Sequence, residues 1–473
     1  MMPRLVLVSS PVNVSERYGV FAGAASTEPS FGLLCLAAVA RQLGVAVSVV
    51  EASARNLSPD VALSEVLAFK PDVVGFTATT SEIVQAADLA RRVKTAMPQV
   101  LTLIGGCHVT SIPEETMISF PAFDMAVIGE GEQTLCEILK RVTNGERYPA
   151  VAGTAVREGA EIRRLEARPL IHDLDSLPLP AWDLLEGFPR NFHPSPGRIR
   201  RWPCASVVLT RGCPNQCVFC DRSVFGNRCR AYSPRYAVEL VRDLYERHGV
   251  RELLIEDDTF VLSKERVRDF CERLIELRLG LSWSCLGRAD RVDLELLKLM
   301  RKAGCWHISY GVESGDPEIL KAMHKRLDVE QIRAAVRWSR KAGLRTKGFF
   351  IVGFPGETAD SLAKTKALAC SLGLDDISVM QMTPFPGSEL YEIAGRHGAF
   401  ERDWKRMNVL NTVFVPHGFT REQLESARAE MIKAFYFRPQ VVARQVAHLI
   451  VNPRLIPMAW KGLGTLSKVV RSS

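Results

Sequence analysis

Short apolar runs alternate with amphipathic stretches along most of the chain. In the first 150 residues, segments 5–8, 45–50, 73–76, 101–104 and 125–128 are apolar and bounded by glycine, proline or polar residues. They read as buried strands of a parallel sheet. Between them, 31–43, 62–69 and 83–97 carry helical patterns. This alternation predicts an α/β, doubly wound, Rossmann-like unit. A second alternation begins at 205. Segments 205–210, 253–256, 281–286, 307–312, 348–352 and 377–380 read as strands, with helical patterns at 234–247, 264–277 and 294–303. Six βα units predict a partial (β/α)6 TIM barrel, with its chemistry at the carboxyl ends of the strands. The stretch 151–203 is rich in proline and arginine and contains the run LPLPAW at 177–182. It reads as a linker laid over both units. The expected division is 1–150, a linker at 151–203, a barrel at 204–400 and a helical C-terminal region at 401–473.

Composition adds boundaries. With 473 residues, 47% hydrophobic and 24% charged, the chain is an ordinary globular one with ample core. A net charge of +8 favours an anionic ligand but does not call for nucleic acid, and no nucleic-acid partner is expected. Twelve scattered cysteines suit a reducing cytoplasm better than a disulfide framework. No uncharged apolar stretch approaches the roughly 18 residues of a spanning helix. The apolar run near Met1 is too short for a signal peptide. A cytoplasmic protein is expected, with peripheral contact at the inner membrane face the one membrane association to consider. That contact would lie in the tail. No acidic residue follows Glu430, and Arg438, Arg444, Arg454, Lys461, Lys468 and Arg471 are interleaved with Val441, Val442, Leu449, Ile450, Val451, Leu455, Ile456 and Trp460. Pro453 and Pro457 break any long helix. The tail reads either as a membrane or lipid-substrate contact or as a helix covering the open side of the barrel.

The strand ends carry the candidate chemistry. In the first unit, Ser9, Ser10 and Pro11 follow the first strand, and Thr77, Ala78, Thr79 and Thr80 the third. Gly105, Gly106, Cys107 and His108 follow the fourth, and Gly129, Glu130, Gly131 and Glu132 the fifth. Ligands of doubly wound sheets bind at such ends, where glycine lets backbone come close. Each run taken alone is also compatible with a plain turn. In the second unit, the run LTRGCPNQCVFC at 209–220 places Cys213, Cys217 and Cys220 directly after a strand. Three thiolates so close can hold three irons of a [4Fe-4S] cluster. No fourth cysteine follows at ferredoxin spacing, so one iron would keep open positions. A zinc knuckle or three structural thiols are the alternatives.

The C-x3-C-x2-C spacing, with Phe219 before the last cysteine, resembles the radical S-adenosylmethionine (SAM) superfamily over about 204–400. The runs IGGCHVT and VIGEGEQTL, in this order, resemble the cobalamin-binding domain that precedes the radical domain in one large subfamily, over about 1–145. The resemblance implies a [4Fe-4S] cluster, SAM and cobalamin as cofactors. It implies cobalamin contacts at Ser10, Thr77, Thr79, Gly105, Gly106, His108, Gly129, Glu130 and Gly131. Many cobalamin-binding domains place a cobalt-ligating histidine after the first strand; the loop from Ser10 to Gly19 has none. His108 is the candidate substitute, or else a backbone hydrogen-bond partner. For SAM, Glu256, Asp257 or Asp258 would accept from the methionyl ammonium and Arg288 would fork the carboxylate. Glu313 would accept from ribose or ammonium, and Ile351 and Gly353 would pack on adenine. Phe349 stands where the family often has glycine. Surface ion pairs or helix caps are the other reading of these acids. Cys204 and Cys229 flank the motif, and the remaining cysteines read as core.

The implied chemistry is reductive cleavage of SAM to a 5′-deoxyadenosyl radical, with an external electron donor of flavodoxin or ferredoxin type. The implied outcome is methylation of an unactivated carbon of a small-molecule or lipid-like substrate. Trp283, Trp306 and Phe385 suit an apolar substrate or are core. A ring-forming enzyme like the anaerobic magnesium-protoporphyrin ester cyclase is the alternative, and a non-catalytic cobalamin sensor ranks below it. Transfer-RNA methylthiotransferases share the cysteines but add an N-terminal cluster domain and a C-terminal RNA-binding barrel, neither of which is legible here.

Overall fold

The computed structural model describes residues 2–195 and 198–451, with Ile456 and Gly464. Its first unit is a seven-stranded sheet. Arg4–Ser9 is flanked by Ala46–Val50 on one side and Val73–Thr77 on the other, followed by Leu101–Gly105 and Met125–Val127, all parallel. The strand order reverses between Arg4–Ser9 and Val73–Thr77, which creates a crevice at their carboxyl ends. Helices cover both faces, and the central strands are buried throughout, as their unbroken apolar runs require.

Two features differ from the sequence expectation. The proposed linker opens with a hairpin, Thr154–Glu158 and Glu161–Arg164, that extends the same sheet antiparallel. Its inner strand buries Ala155 and Val156, while the outer one is charged and mostly exposed. A charged outer strand reads as loop in sequence and protects a sheet edge in the fold. The turn at Gly131 also opens a helix, Gly131–Thr143, with Leu135, Ile138 and Leu139 buried.

The second unit is a six-stranded parallel sheet in sequential order: Cys204–Val207, Glu252–Ile255, Ser282–Gly287, Cys305–Glu313, Arg345–Val352 and Asp376–Gln381. Each helix between them begins at a polar residue whose side chain accepts a backbone amide, as Ser233, Ser263, Asp293, Asp328 and Thr358 do. Ser263 therefore caps the helix after the second strand, and Asp257 and Asp258 do not. The first strand ends earlier than its apolar run. The chain leaves the sheet after Val207 and forms a short ribbon, Thr210–Arg211 with Arg230–Ala231, from which the cysteine loop projects.

Alternate residues of the barrel strands face the helices and the lumen. Val207, Ile255, Trp283, Tyr310 and Phe350 belong to the helix-facing core. Trp283 packs edge-on against Phe260 and Phe270, so it is core and does not face a substrate. Trp306 is also buried, at the amino end of its strand, and donates to Glu252 Oε1 (2.8 Å).

Beyond the barrel, helix Arg421–Tyr436 packs on the last strand and helix Pro439–Val451 follows. Arg444 donates to the carbonyls of Gly373 and Leu374 (2.8 and 3.0 Å), and Gln445 to that of Asp375 (2.7 Å). Leu449 packs with Ile199, Cys204 and Leu254. The described part of the tail thus closes the amino end of the barrel. Arg454, Lys461, Lys468, Arg471, Leu455, Trp460, Pro453 and Pro457 lie outside the described residues.

Candidate functional site

The cysteine loop begins at Gly212, whose φ is +84° and whose Cβ would stand 2.3 Å from the Arg228 carbonyl oxygen. Only glycine fits there. Cys213 Sγ accepts from Asn215 Nδ2 (3.0 Å) and Thr259 Oγ1 (3.1 Å). Cys217 is buried and Cys220 exposed, and none of the three is in a disulfide. The Val218 amide donates to the Met323 carbonyl (3.2 Å), and the Val218 carbonyl accepts from Leu390 (2.9 Å). The loop is thereby pinned to the carboxyl end of the barrel. A hydrogen bond from Cys220 holds the Cys217 thiol down to about 6, with Lys325 and Arg288 adding positive charge against the cost of burial. The same shared proton pushes Cys220 up. A lowered thiol at Cys217, beside two cations, suits binding to a cluster as thiolate. Among the described residues no three His, Cys, Asp or Glu side chains converge on a single metal point. A cubane, whose irons are separate, does not require that they do.

Lys325 is the residue that the sequence pattern misses. It is buried, and its Nζ lies 2.6 Å from Glu313 Oε1. Burial pulls its pKa down, but the Glu313 charge outweighs this and leaves it above its ordinary value. Its loop is bent by two left-handed residues, His324 (φ +52°) and Arg326 (φ +50°). Glu313 itself sits at φ +65°, beside an irregularity in the pairing of its strand. Non-glycine residues held in that region mark sites where surrounding contacts override local preference. Nothing in the local run around Lys325 separates it from a surface lysine.

Glu313, Phe219, Phe349, Ile351, Met382 and Phe385 line a largely apolar cavity of about 320 Å³ next to the cysteines. A larger hollow of about 660 Å³ lies on the outer helices, lined by residues such as Arg235 and Glu276 and by none of the site residues. Arg288 is buried, with Nε on Asp290 Oδ1 (3.0 Å) and Nη2 on the Lys325 carbonyl (3.0 Å). Its donors thus brace the Lys325 loop. Gly353 stands at a turn (φ +91°), donating to Glu357 Oε2 (2.6 Å), and is not among the residues lining the cavity. Glu256 pairs with Arg198. Asp257 is fully buried and accepts from the Leu209 amide (2.6 Å). Neither acid lines the cavity.

In the first unit, Ser10 Oγ donates to the Thr77 carbonyl across the crevice (3.1 Å). Thr79 caps a turn with Glu82 (2.8 Å). Gly106 (φ +108°) passes close under Ala78, where a Cβ would stand 2.8 Å from its carbonyl oxygen. Gly105 ends the fourth strand beside it. The Gly129 amide donates to Thr110 Oγ1 (3.1 Å), and Gly131 packs against Leu36. His108 is buried, with Nδ1 3.2 Å from Thr80 Oγ1 and its ring edge-on to Trp404. Burial pushes it down to about 4, so it is neutral, and its buried Nε2 has no protein partner. Glu130 differs most from expectation. Its oxygens are occupied by Arg211, Arg230 and the Ile171 amide. This crevice faces the cysteine loop: Ser111 Oγ lies 2.8 Å from Ser223 Oγ.

These features fit the groups implied. Three thiols flanked by cations suit an iron–sulfur cluster with an open iron. The orphaned His108 Nε2 and the close-packed glycine at a switch-point crevice suit a ligand laid over the first unit. Together they define a radical SAM enzyme with a second, cofactor-binding domain. Comparison agrees: the Radical SAM superfamily matches residues 207–369 and the B12 binding domain matches residues 19–139. An uncharacterized methyltransferase of Pyrococcus horikoshii is 33% identical over 423 residues, covering 89% of this chain and 90% of that protein. The anaerobic magnesium-protoporphyrin IX monomethyl ester cyclase of Rubrivivax gelatinosus is 30% identical, covering 79% of this chain and 67% of that protein. Among solved structures, the radical SAM methyltransferase TsrM of Kitasatospora setae, with cobalamin and a [4Fe-4S] cluster bound, shares the fold. Its TM-score is 0.67 at 20% identity, over 84% of this chain and 78% of that one. The chain belongs to the family of radical SAM enzymes that carry a B12-binding domain, whose cofactors are a [4Fe-4S] cluster, SAM and cobalamin.

Two outcomes test this geometry. Burial lifts the Asp257 carboxyl from 3.8 to about 7. Its raised pKa contributes stability that is complete below the unfolded value and is lost as pH rises through about 7. Asp257→Asn keeps an acceptor for Leu209 and should flatten that fall when urea unfolding is measured from pH 4 to pH 8. Lys325→Met should cost about 3–5 kcal/mol by leaving Glu313 buried without its cation, and adding Glu313→Gln should restore most of it.

Proposed function

We propose that this protein cleaves SAM reductively and methylates an unactivated carbon of a small, largely apolar molecule. What supports this reading is the placement of the cysteine loop between an apolar cavity and the crevice of the B12-binding unit. When bound, the cluster supplies the electron that breaks SAM and cobalamin supplies the methyl group. The chain supplies position and dryness. Phe219 and Ile351 offer apolar faces for the adenosine, and Glu313 an acceptor for its hydroxyl or ammonium donors. Lys325 holds Glu313 in place through their buried ion pair. Phe349, Met382 and Phe385 favour apolar over charged substrate and exclude water. The electron comes from an external donor of flavodoxin or ferredoxin type.

The test needs no substrate. The cobalamin-loaded, cluster-containing protein is incubated anaerobically with SAM and dithionite, and the nucleosides are quantified. Methyl transfer and radical formation together give S-adenosylhomocysteine beside 5′-deoxyadenosine. 5′-Deoxyadenosine alone favours the ring-forming reading, for which the 30% identical cyclase is the precedent. Neither product leaves a binding protein.

We also propose that helix Pro439–Val451 touches an anionic lipid surface. No helix among the described residues is long and apolar enough to cross a membrane. Yet Val442, Val446 and Ile450, one turn apart, are all exposed, and Phe437 stands exposed just before them. Seven basic and no acidic residues follow Glu430, so this tail carries nearly all of the chain's net charge of +8. The protein should float with anionic liposomes. Replacing Val442, Val446 and Ile450 by serine should leave it behind, and equal flotation of both proteins would rule the contact out.

A further inference from the structure

We infer that Arg211, Arg230, Glu130 and Glu132 form a lock that positions the cluster loop against the B12-binding domain. The inference rests on the family's two cofactors and not on methyl transfer. Both stalks of the cysteine loop belong to one ribbon, in which Arg230 lies opposite Arg211. Both arginines reach across to the turn after the fifth strand of the other domain. Arg211 Nη1 lies 2.7 Å from Glu130 Oε1, and its Nη2 lies 2.6 Å from Glu132 Oε1. Arg230 Nη1 lies 2.8 Å from Glu130 Oε2. The side chains are between 3% and 13% exposed, so the cluster is nearly dry. Two carboxylates meet two guanidiniums, so no net charge is buried.

Such a cluster is a poor source of stability but a strict selector of register, because any slip leaves a buried charge unpaired. Arginine's flat fork spans two separate carboxylates, which a lysine point charge does not reproduce. The linker is held by the same groups. The Ile171 amide donates to Glu130 (2.8 Å), and its carbonyl accepts from Arg230 (2.6 Å). Arg211 is two residues from Cys213. Glu130 and Glu132 flank Gly131, where the helix of the B12-binding domain begins. A displacement of one domain is therefore transmitted to the first cysteine through a single glycine. These four are positioning residues; they set the separation of two cofactors without touching either.

The test measures that separation. Arg211→Lys and Glu132→Gln are prepared in the full chain with both cofactors bound. Iron and cobalt are counted, and the magnetic coupling between the reduced cluster and cobalt(II) of cobalamin is read by electron paramagnetic resonance without SAM. We expect metal contents to hold while the coupling weakens and broadens, as for a site loosened by about 1 Å. Coupling unchanged in both variants, with only a lower unfolding temperature, overturns the inference. So does loss of iron with cobalamin retained, since the arginine would then shape the loop alone. Should Arg211→Lys fail to fold, Glu132→Gln preserves the Arg211–Glu130 pair and carries the measurement.

Discussion

Three cysteines in an eight-residue run have no local reason to face one way, and the site depends on how the loop that bears them is held. The chain leaves its strand after Val207, and Asp257 catches the Leu209 amide as it turns. Gly212 then passes where no side chain fits. The far side is tied by Val218 to Met323 and Leu390. Each restraint comes from a different element: the loop after the second barrel strand, the end of the short helix after the fourth, and the helix after the sixth. A loop held at so many points orders its ligands before any cofactor arrives, which lowers the entropic cost of assembling the site.

The electrostatics follow the same plan. Lys325 and Arg288 bring positive charge to sulfurs that must lose protons, and Glu313 balances Lys325. Arg288 acts through the Lys325 backbone. Three of the six positive-φ residues other than glycine among the described residues, Glu313, His324 and Arg326, fall in this arrangement. Local strain is tolerated because the ion pair and loop contacts outweigh it. Gly311 shows how tight the fit is: a Cβ there would stand 2.4 Å from the Glu313 carboxylate and 2.7 Å from Lys325 Nζ.

Much of this architecture is legible in sequence because it is periodic. Buried parallel strands read as apolar runs, and their carboxyl ends locate both candidate sites. The cysteine spacing is legible because its ligands are adjacent in the chain. What is not legible depends on partners far away in sequence. Glu130 reads as a cofactor contact, and its role changes once Arg211 and Arg230 are seen to occupy it. Lys325 looks like a solvated lysine until the fold buries it on Glu313. Asp257 sits in a run of three acids at a strand end, but side-chain alternation turns it into the wall. The hairpin after Val151 is hidden because its outer strand carries the composition of a loop. Trp283 and Phe385 are both aromatic and near strand ends, yet one faces helices and the other the cavity.

The C-terminal helix seats Leu449 against Cys204 and Leu254 at the barrel end opposite the cysteines. One apolar contact therefore ties the C-terminal helix to the first two barrel strands, and unseating that helix would bare Ile199 and Leu254 to water.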